Sequence, residues 1–118
     1  MTVRETVVIL DADIAELYGV ETKRVNEAVK NNPDKFPSTY MFRLTREEMI
    51  FLRSKNPTAK ISSKSRFLPA VFTERGLYML ATILKSKKAV NATFAIIETF
   101  ANVRQLKREL RTLHQETD

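Results

Sequence analysis

The stretch from Asp11 to Asn32, DADIAELYGVETKRVNEAVKNN, constrains this chain more tightly than any other. It reads as two short helices joined at Gly19-Val20. Ile14, Ala15 and Tyr18 share one face of the first helix, and Val25, Ala28 and Val29 recur at helical spacing along the second. Gly19 supplies the turn, where a positive φ is cheap only without a Cβ. Val20 plugs the corner, and a small residue at Ala15 lets the two helices cross at close range. The opposite face of the second helix carries Lys23, Glu27 and Lys30, flanked by Arg24, Asn26 and Asn31. A helix-turn-helix offers such a face to a DNA major groove. The competing reading is a solvated face tied by Lys23 with Glu27 and Glu27 with Lys30, pairs worth only about 0.3 kcal/mol each.

Charge weighs on the choice. Residues 1–50 hold seven Lys/Arg against nine Asp/Glu, whereas residues 51–118 hold thirteen against five. Segregated positive charge suggests a polyanion partner. Nucleic acid is favoured over membrane, because no basic helix has a clean Trp/Phe/Leu lipid face. The chain has no cysteine, which excludes disulfides and thiolate metal sites. Its single histidine, His114, leaves nothing from which to build a nucleophilic relay or a histidine metal centre. Asp11, Asp13 and Glu16 could in principle hold magnesium, but carboxylates in a first helical turn read as caps. No enzyme, metal or cofactor is therefore expected. The N-terminus lacks a signal-type segment and no apolar run approaches membrane length, so a cytoplasmic protein is expected.

The flanking stretches complete an α+β pattern. Val3 to Leu10 is β-branched and reads as one strand. Asn31-Asn32-Pro33-Asp34 is a helix stop, and Phe36 beside Pro37 reads as a core plug. Tyr40 to Leu44 alternates as a half-buried strand, with Tyr40, Phe42 and Leu44 on one face. Thr45 and Glu48 form a capping box, predicting a helix from about Arg46 to Ser54. Arg53 to Arg66 then holds Arg53, Lys55, Lys60, Lys64 and Arg66 with no acid, as a phosphate-gripping wing would. Its bland alternative is a solvated insertion.

Arg66 to Phe72 reads as a strand pairing with 40–44, and Pro69 suggests an edge position or a bulge. Thr73 should cap a helix over Glu74 to about Leu84, with Leu77, Leu80 (or Ala81) and Leu84 inward and close backbone approach at Gly76. Ser86 should cap a long last helix, with Val90, Phe94, Ile97 and Ala101 facing the body. Further along, Ile96, Val103, Leu106, Leu110 and Leu113 fall on heptad positions with Thr99 as the weak member. Two readings stand: a short seam for a second copy of the chain, or a helix still packing on its own domain.

Several separate words match one family: Ile14-Ala15-Glu16-Leu17-Tyr18-Gly19-Val20, Thr22-Lys23-Arg24-Val25-Asn26, Lys35-Phe36-Pro37, Met41-Phe42-Arg43-Leu44-Thr45 and Phe72-Thr73-Glu74-Arg75-Gly76, then Phe100 and Arg104. In this order they resemble the KilA-N DNA-binding family of phages, prophages and large DNA viruses. Within it, the chain looks like the branch named for the N-terminal domain of a phage open-reading-frame-six protein. Lys35 stands where the family often has Arg, and Arg75 where it often has Gln. The resemblance implies an α+β, winged-helix-like DNA-binding domain of an antirepressor or transcription regulator.

The expected organisation is a domain over residues 1–105, with 106–118 ending the C-terminal helix as a linker or coiled-coil start. The expected partner is double-stranded DNA, contacted through Thr22, Lys23, Arg24, Asn26, Glu27, Lys30, Arg53, Lys55, Lys60, Lys64 and Arg66. Of these, Lys23, Asn26, Glu27 and Lys30 would face base edges, with Asn26 suited to adenine. The alternative is a protein-interaction module, antirepressor or dimerising, built on the Val103 to Leu113 seam or the Tyr40 to Phe42 strand.

Overall fold

A computed structural model describes residues 2–55, 68–84 and 87–117, with side chains through Gln115. The fold is α+β: five α-helices, two small antiparallel sheets and a long C-terminal helix among the described residues.

The N-terminal segment departs from the single strand expected over Val3 to Leu10. It forms a hairpin of β1 (Thr2–Val3) and β2 (Thr6–Val7), followed by β3 (Ile9–Leu10). The hairpin turns at Arg4 and Glu5, whose φ values of 51° and 62° are both left-handed, the backbone that a two-residue hairpin turn requires. Asn-Gly usually signals such a turn, and Arg-Glu does not. Remote contacts offset the strain here: the Arg4 guanidinium donates to both Glu48 oxygens at 2.9 Å and lies 4.2 Å from the Phe42 ring centroid.

The larger sheet runs β3-β5-β4, all antiparallel, with β4 at Met41–Arg43 and β5 at Ala70–Phe72. Phe72 pairs with Ile9 and Met41, and Val71 with Leu10 and Phe42. β5 is thus the central strand, buried along its whole length, and not the edge strand that Pro69 suggested. Pro69 sits just before the ladder, where its missing N–H costs nothing and its carbonyl accepts from the Leu44 amide at 3.0 Å.

Because strand side chains alternate, the sheet separates two apolar clusters. Ala70 and Phe72 face Ile14, Ala15, Tyr18, Val25, Ala28, Leu77 and Leu80. Val71 faces Val3, Val8, Leu10, Leu44, Met49 and Leu52. Tyr40 packs with the first cluster and Phe42 with the second, so the expected alternation begins only inside β4. Phe36 is the expected plug, buried and edge-on to Phe72 with ring centroids 6.1 Å apart.

The helices follow from their caps. Helix α3 (Arg46–Lys55) starts at the expected capping box: the Glu48 amide donates to the Thr45 hydroxyl at 3.1 Å, and the Thr45 amide to the Glu48 carboxylate at 2.8 Å. Arg4 and then the Thr45 amide hold the Glu48 carboxyl down at about 2, against an ordinary 4.5. Helix α4 (Glu74–Ile83) is capped by Thr73, whose hydroxyl accepts from the Gly76 amide at 3.3 Å and donates to the Thr39 carbonyl at 2.7 Å. Gly76 lies so close to β4 that a Cβ would fall 1.9 Å from the Tyr40 carbonyl oxygen.

Helix α5 (Lys87–Thr117) packs on α1 (Asp11–Tyr18) and α4 through Ala89, Ala92, Ile96 and Phe100. The stripe expected to face the body faces out instead, with Val90 55%, Phe94 66% and Ile97 38% exposed. Both stripes have helical spacing, and hydrophobicity alone favours the larger residues. Close approach decides otherwise, because two alanines let the α5 backbone come near its neighbours. Ile96 consequently belongs to the core, while Leu106, Leu110 and Leu113 project beyond it, each more than half exposed. The expected cap at Ser86 lies outside the described residues.

Candidate nucleic-acid interface

Helix α1 ends on Gly19 at φ 68°, with the Val20 amide donating to Ala15 and the Gly19 amide to Glu16. This paired closure re-aims the chain within two residues, so that α2 (Thr22–Asn31) packs directly on α1. Val25 is fully buried and Ala28 nearly so, with Val29 packed beside them. The apolar seam of this hairpin is therefore the one expected. The aliphatic stem of Lys88 crosses the turn, leaving its Cδ only 2.6 Å from where a Gly19 side chain would begin. No sequence signal marked that contact.

Asp11 fixes how α2 sits. Expected as a helix cap, it is 8% exposed and works as a buried junction. Its Oδ1 accepts from the Ala12 amide at 2.7 Å, and its Oδ2 from the Asn26 side-chain amide at 3.1 Å and the Ala70 amide at 3.4 Å. One carboxylate thus joins the start of α1, the middle of α2 and the central strand. Such a buried charge is tolerated because donors surround it.

The same bonds redirect Asn26. Its amide nitrogen also donates to the Thr22 carbonyl at 3.1 Å, and its Oδ1 is buried with no hydrogen-bond partner among the described residues. Asn26 therefore points into the α1–α2 junction and not, as expected, toward a base edge. The physical reason is a remote carboxylate that helical periodicity cannot reveal.

Lys23, Arg24 and Lys30 are exposed on the outer face of α2, together with Asn31. Lys23 and Glu27 approach only to 3.9 Å, with 79% and 46% of their side chains exposed, a pair that solvent weakens. Thr22 is half-buried at the start of the helix. Arg53 and Lys55 end α3, which packs the opposite sheet face through Met49 and Leu52, so the structure does not bring them beside α2. Lys60, Lys64 and Arg66 lie outside the described residues.

A small α+β domain that mounts a basic helix on a buried polar junction is the class these features define. Residues 1–83 match the ORF6N domain, the phage ORF6 N-terminal domain, and the chain belongs to that family. No curated protein and no solved structure matches it. The words that carried the resemblance resolve mostly into structural roles. Ile14, Ala15 and Tyr18 are core, Gly19 is the turn, Thr73 is the cap and Gly76 is the close approach. Burial would raise the Glu74 carboxyl, but Tyr78 and Arg104 hydrogen-bond it and hold it below its ordinary value. Arg104 thereby ties α5 to α4, and the core continues past the matched span as far as Phe100.

Among the described residues no group of three His, Cys, Asp or Glu is placed to hold a metal ion, and no helix is long and apolar enough to cross a membrane.

Proposed function

We propose that this domain binds duplex DNA with a sequence bias, α1 and α2 acting as a helix-turn-helix and α2 entering the major groove. The observation that carries this reading is the division of α2. Val25 and Ala28 are sealed in the core while Lys23, Arg24 and Lys30 remain exposed on a helix locked at both the Gly19 turn and the Asp11 junction. A rigidly held helix spends little ordering entropy on docking. Lys23, Lys30 and Asn31 are proposed to contact base edges, with Glu27 a weaker candidate because Lys23 lies beside it. Arg24 supplies a phosphate contact beside α2, and Arg53, Lys55, Lys60, Lys64 and Arg66 are proposed for phosphates farther along the duplex, away from α2. Asn26 positions the helix and does not read bases.

A phage-type family and a DNA-binding helix together fit a regulator, repressor or antirepressor in role. Selection from random duplexes tests the base preference, and titration across a salt series tests the phosphate contacts. With roughly five phosphates neutralised, log K falls against log salt with a slope near −4 to −5. A flat response would remove the mechanism.

Leu106, Leu110 and Leu113 favour one addition. They are exposed in heptad register on the part of α5 that leaves the body, and they suit a parallel pairing with a second copy. Light scattering on the chain with Leu110→Lys tests this pairing, which predicts loss of the dimer with DNA binding retained at lower affinity.

A further inference from the structure

The α2 contacts leave unused a second group of cations that the family match does not reach. From Arg104 to Gln115 every described side chain of α5 is exposed. Arg104, Lys107, Arg108 and Arg111 recur at i, i+3, i+4 and i+7, a single stripe covering about 100° of the helix. Arg104 is committed to Glu74. Lys107, Arg108 and Arg111 pair with no acid among the described residues, and Arg111 bonds only the Lys107 carbonyl, at 3.5 Å. Glu109 is the one acid between 104 and 115, and it lies on the far side of the helix, bonded by Gln105. At the base of the stripe, Lys107 rims an open cleft of ≈ 280 Å³ whose walls include Arg75, Thr6, Thr39 and the Glu74 carboxylate that Arg104 neutralises.

We propose that Lys107, Arg108 and Arg111, with Arg75 at the base of α5, form a second clamp on the phosphate backbone of the duplex that α2 engages. This inference rests on the DNA reading above. Like charges repel along one face, and a polyanion relieves that repulsion. Along the helix the stripe advances about 1.5 Å per residue, so Lys107 and Arg111 stand roughly 6 Å apart on flexible stems, close enough to hold neighbouring phosphates. Guanidinium groups and hydroxyls at its base are the donors that phosphate contacts use. An anionic membrane is the weaker partner, because the projecting stretch carries no aromatic residue to anchor at a bilayer surface.

The test is fluorescence anisotropy of the full chain with a labelled random-sequence duplex across a salt series. Wild type is compared with a Lys107→Gln, Arg108→Gln, Arg111→Gln triple variant and with a Lys23→Gln, Arg24→Gln, Lys30→Gln triple variant. All six positions are exposed and glutamine keeps helix propensity, so circular dichroism should be unchanged. The clamp predicts that the α5 variant makes the salt slope shallower by roughly 2 to 3 and weakens all sequences alike. An unchanged slope in that variant overturns the clamp while leaving α2 binding intact. Absence of wild-type binding overturns both. If the α5 variant loses affinity for phosphatidylserine vesicles with no change in DNA slope, the stripe belongs to a membrane and the clamp is wrong.

Discussion

Replacing Asn26 with alanine separates a residue that reads bases from one that holds a helix in place. The substitution removes a hydrogen bond to the Asp11 carboxylate and one to the Thr22 carbonyl. A bond to a charged acceptor contributes about 1.5–3 kcal/mol and an ordinary one about 1 kcal/mol or less. Against this, alanine gains about 0.5 kcal/mol in helix propensity. It also removes the buried, unpartnered Oδ1, which recovers about 1 kcal/mol. The balance is a destabilisation of about 0.5–2.5 kcal/mol, readable as a lower urea midpoint at unchanged m-value. In DNA binding, the variant should lose affinity evenly across sequences, because the angle of α2 and not a base contact has been disturbed. Stability unchanged, with base preference altered at a single position, would show that Asn26 turns outward to DNA and would refute the junction role.

Other consequences follow from single contacts. Gly76→Ala should lower stability by about 3 kcal/mol or more despite alanine's helix propensity, since its Cβ would collide with the Tyr40 carbonyl; urea denaturation at equal or greater stability would contradict this. Glu48→Gln keeps the capping box and removes a carboxyl held at about 2. The folded state binds fewer protons there, so the Glu48 contribution is complete above pH 4.5 and disappears as pH falls through about 2. The variant should lose up to about 1 kcal/mol at neutral pH, and its acid-unfolding profile should be flatter across that window. On α5, Phe94→Ser should change stability by less than about 0.5 kcal/mol, whereas Ile96→Ala should cost about 2–4 kcal/mol; thermal or urea unfolding giving the reverse order would restore the stripe read from hydrophobicity.

What could be read in the sequence was whatever is decided within a turn or two of chain. Thr45 with Glu48, Thr73 with Gly76, and Gly19 between two amphipathic stretches each carry their signal in adjacent residues, and each forms as expected. Features settled by remote partners were not legible. Arg4 adopts a left-handed backbone because Glu48 and Phe42 receive its side chain. Two apolar stripes compete on α5, and the choice rests on how closely neighbouring helices approach. Asn26 and Asp11 are fifteen positions apart, and nothing in either helix announces that they meet. The candidate interface divides the same way. Exposure of Lys23, Arg24 and Lys30 follows from the period of α2, whereas loss of Asn26 to the junction follows from the fold. Basic residues on α5 were visible as a pattern, but their distance from the body became clear only once Phe100 was seen to end the packed core.

Backbone-amide NMR of the full chain, titrated with a duplex recovered by selection, examines the docking of α2 most directly. The largest shifts should cluster at Lys23, Arg24, Glu27, Lys30 and Asn31, with Val25 and Ala28 moving little. Saturable binding that leaves those five amides unperturbed and moves only other parts of the chain would contradict the assignment of α2 as the helix that enters the groove.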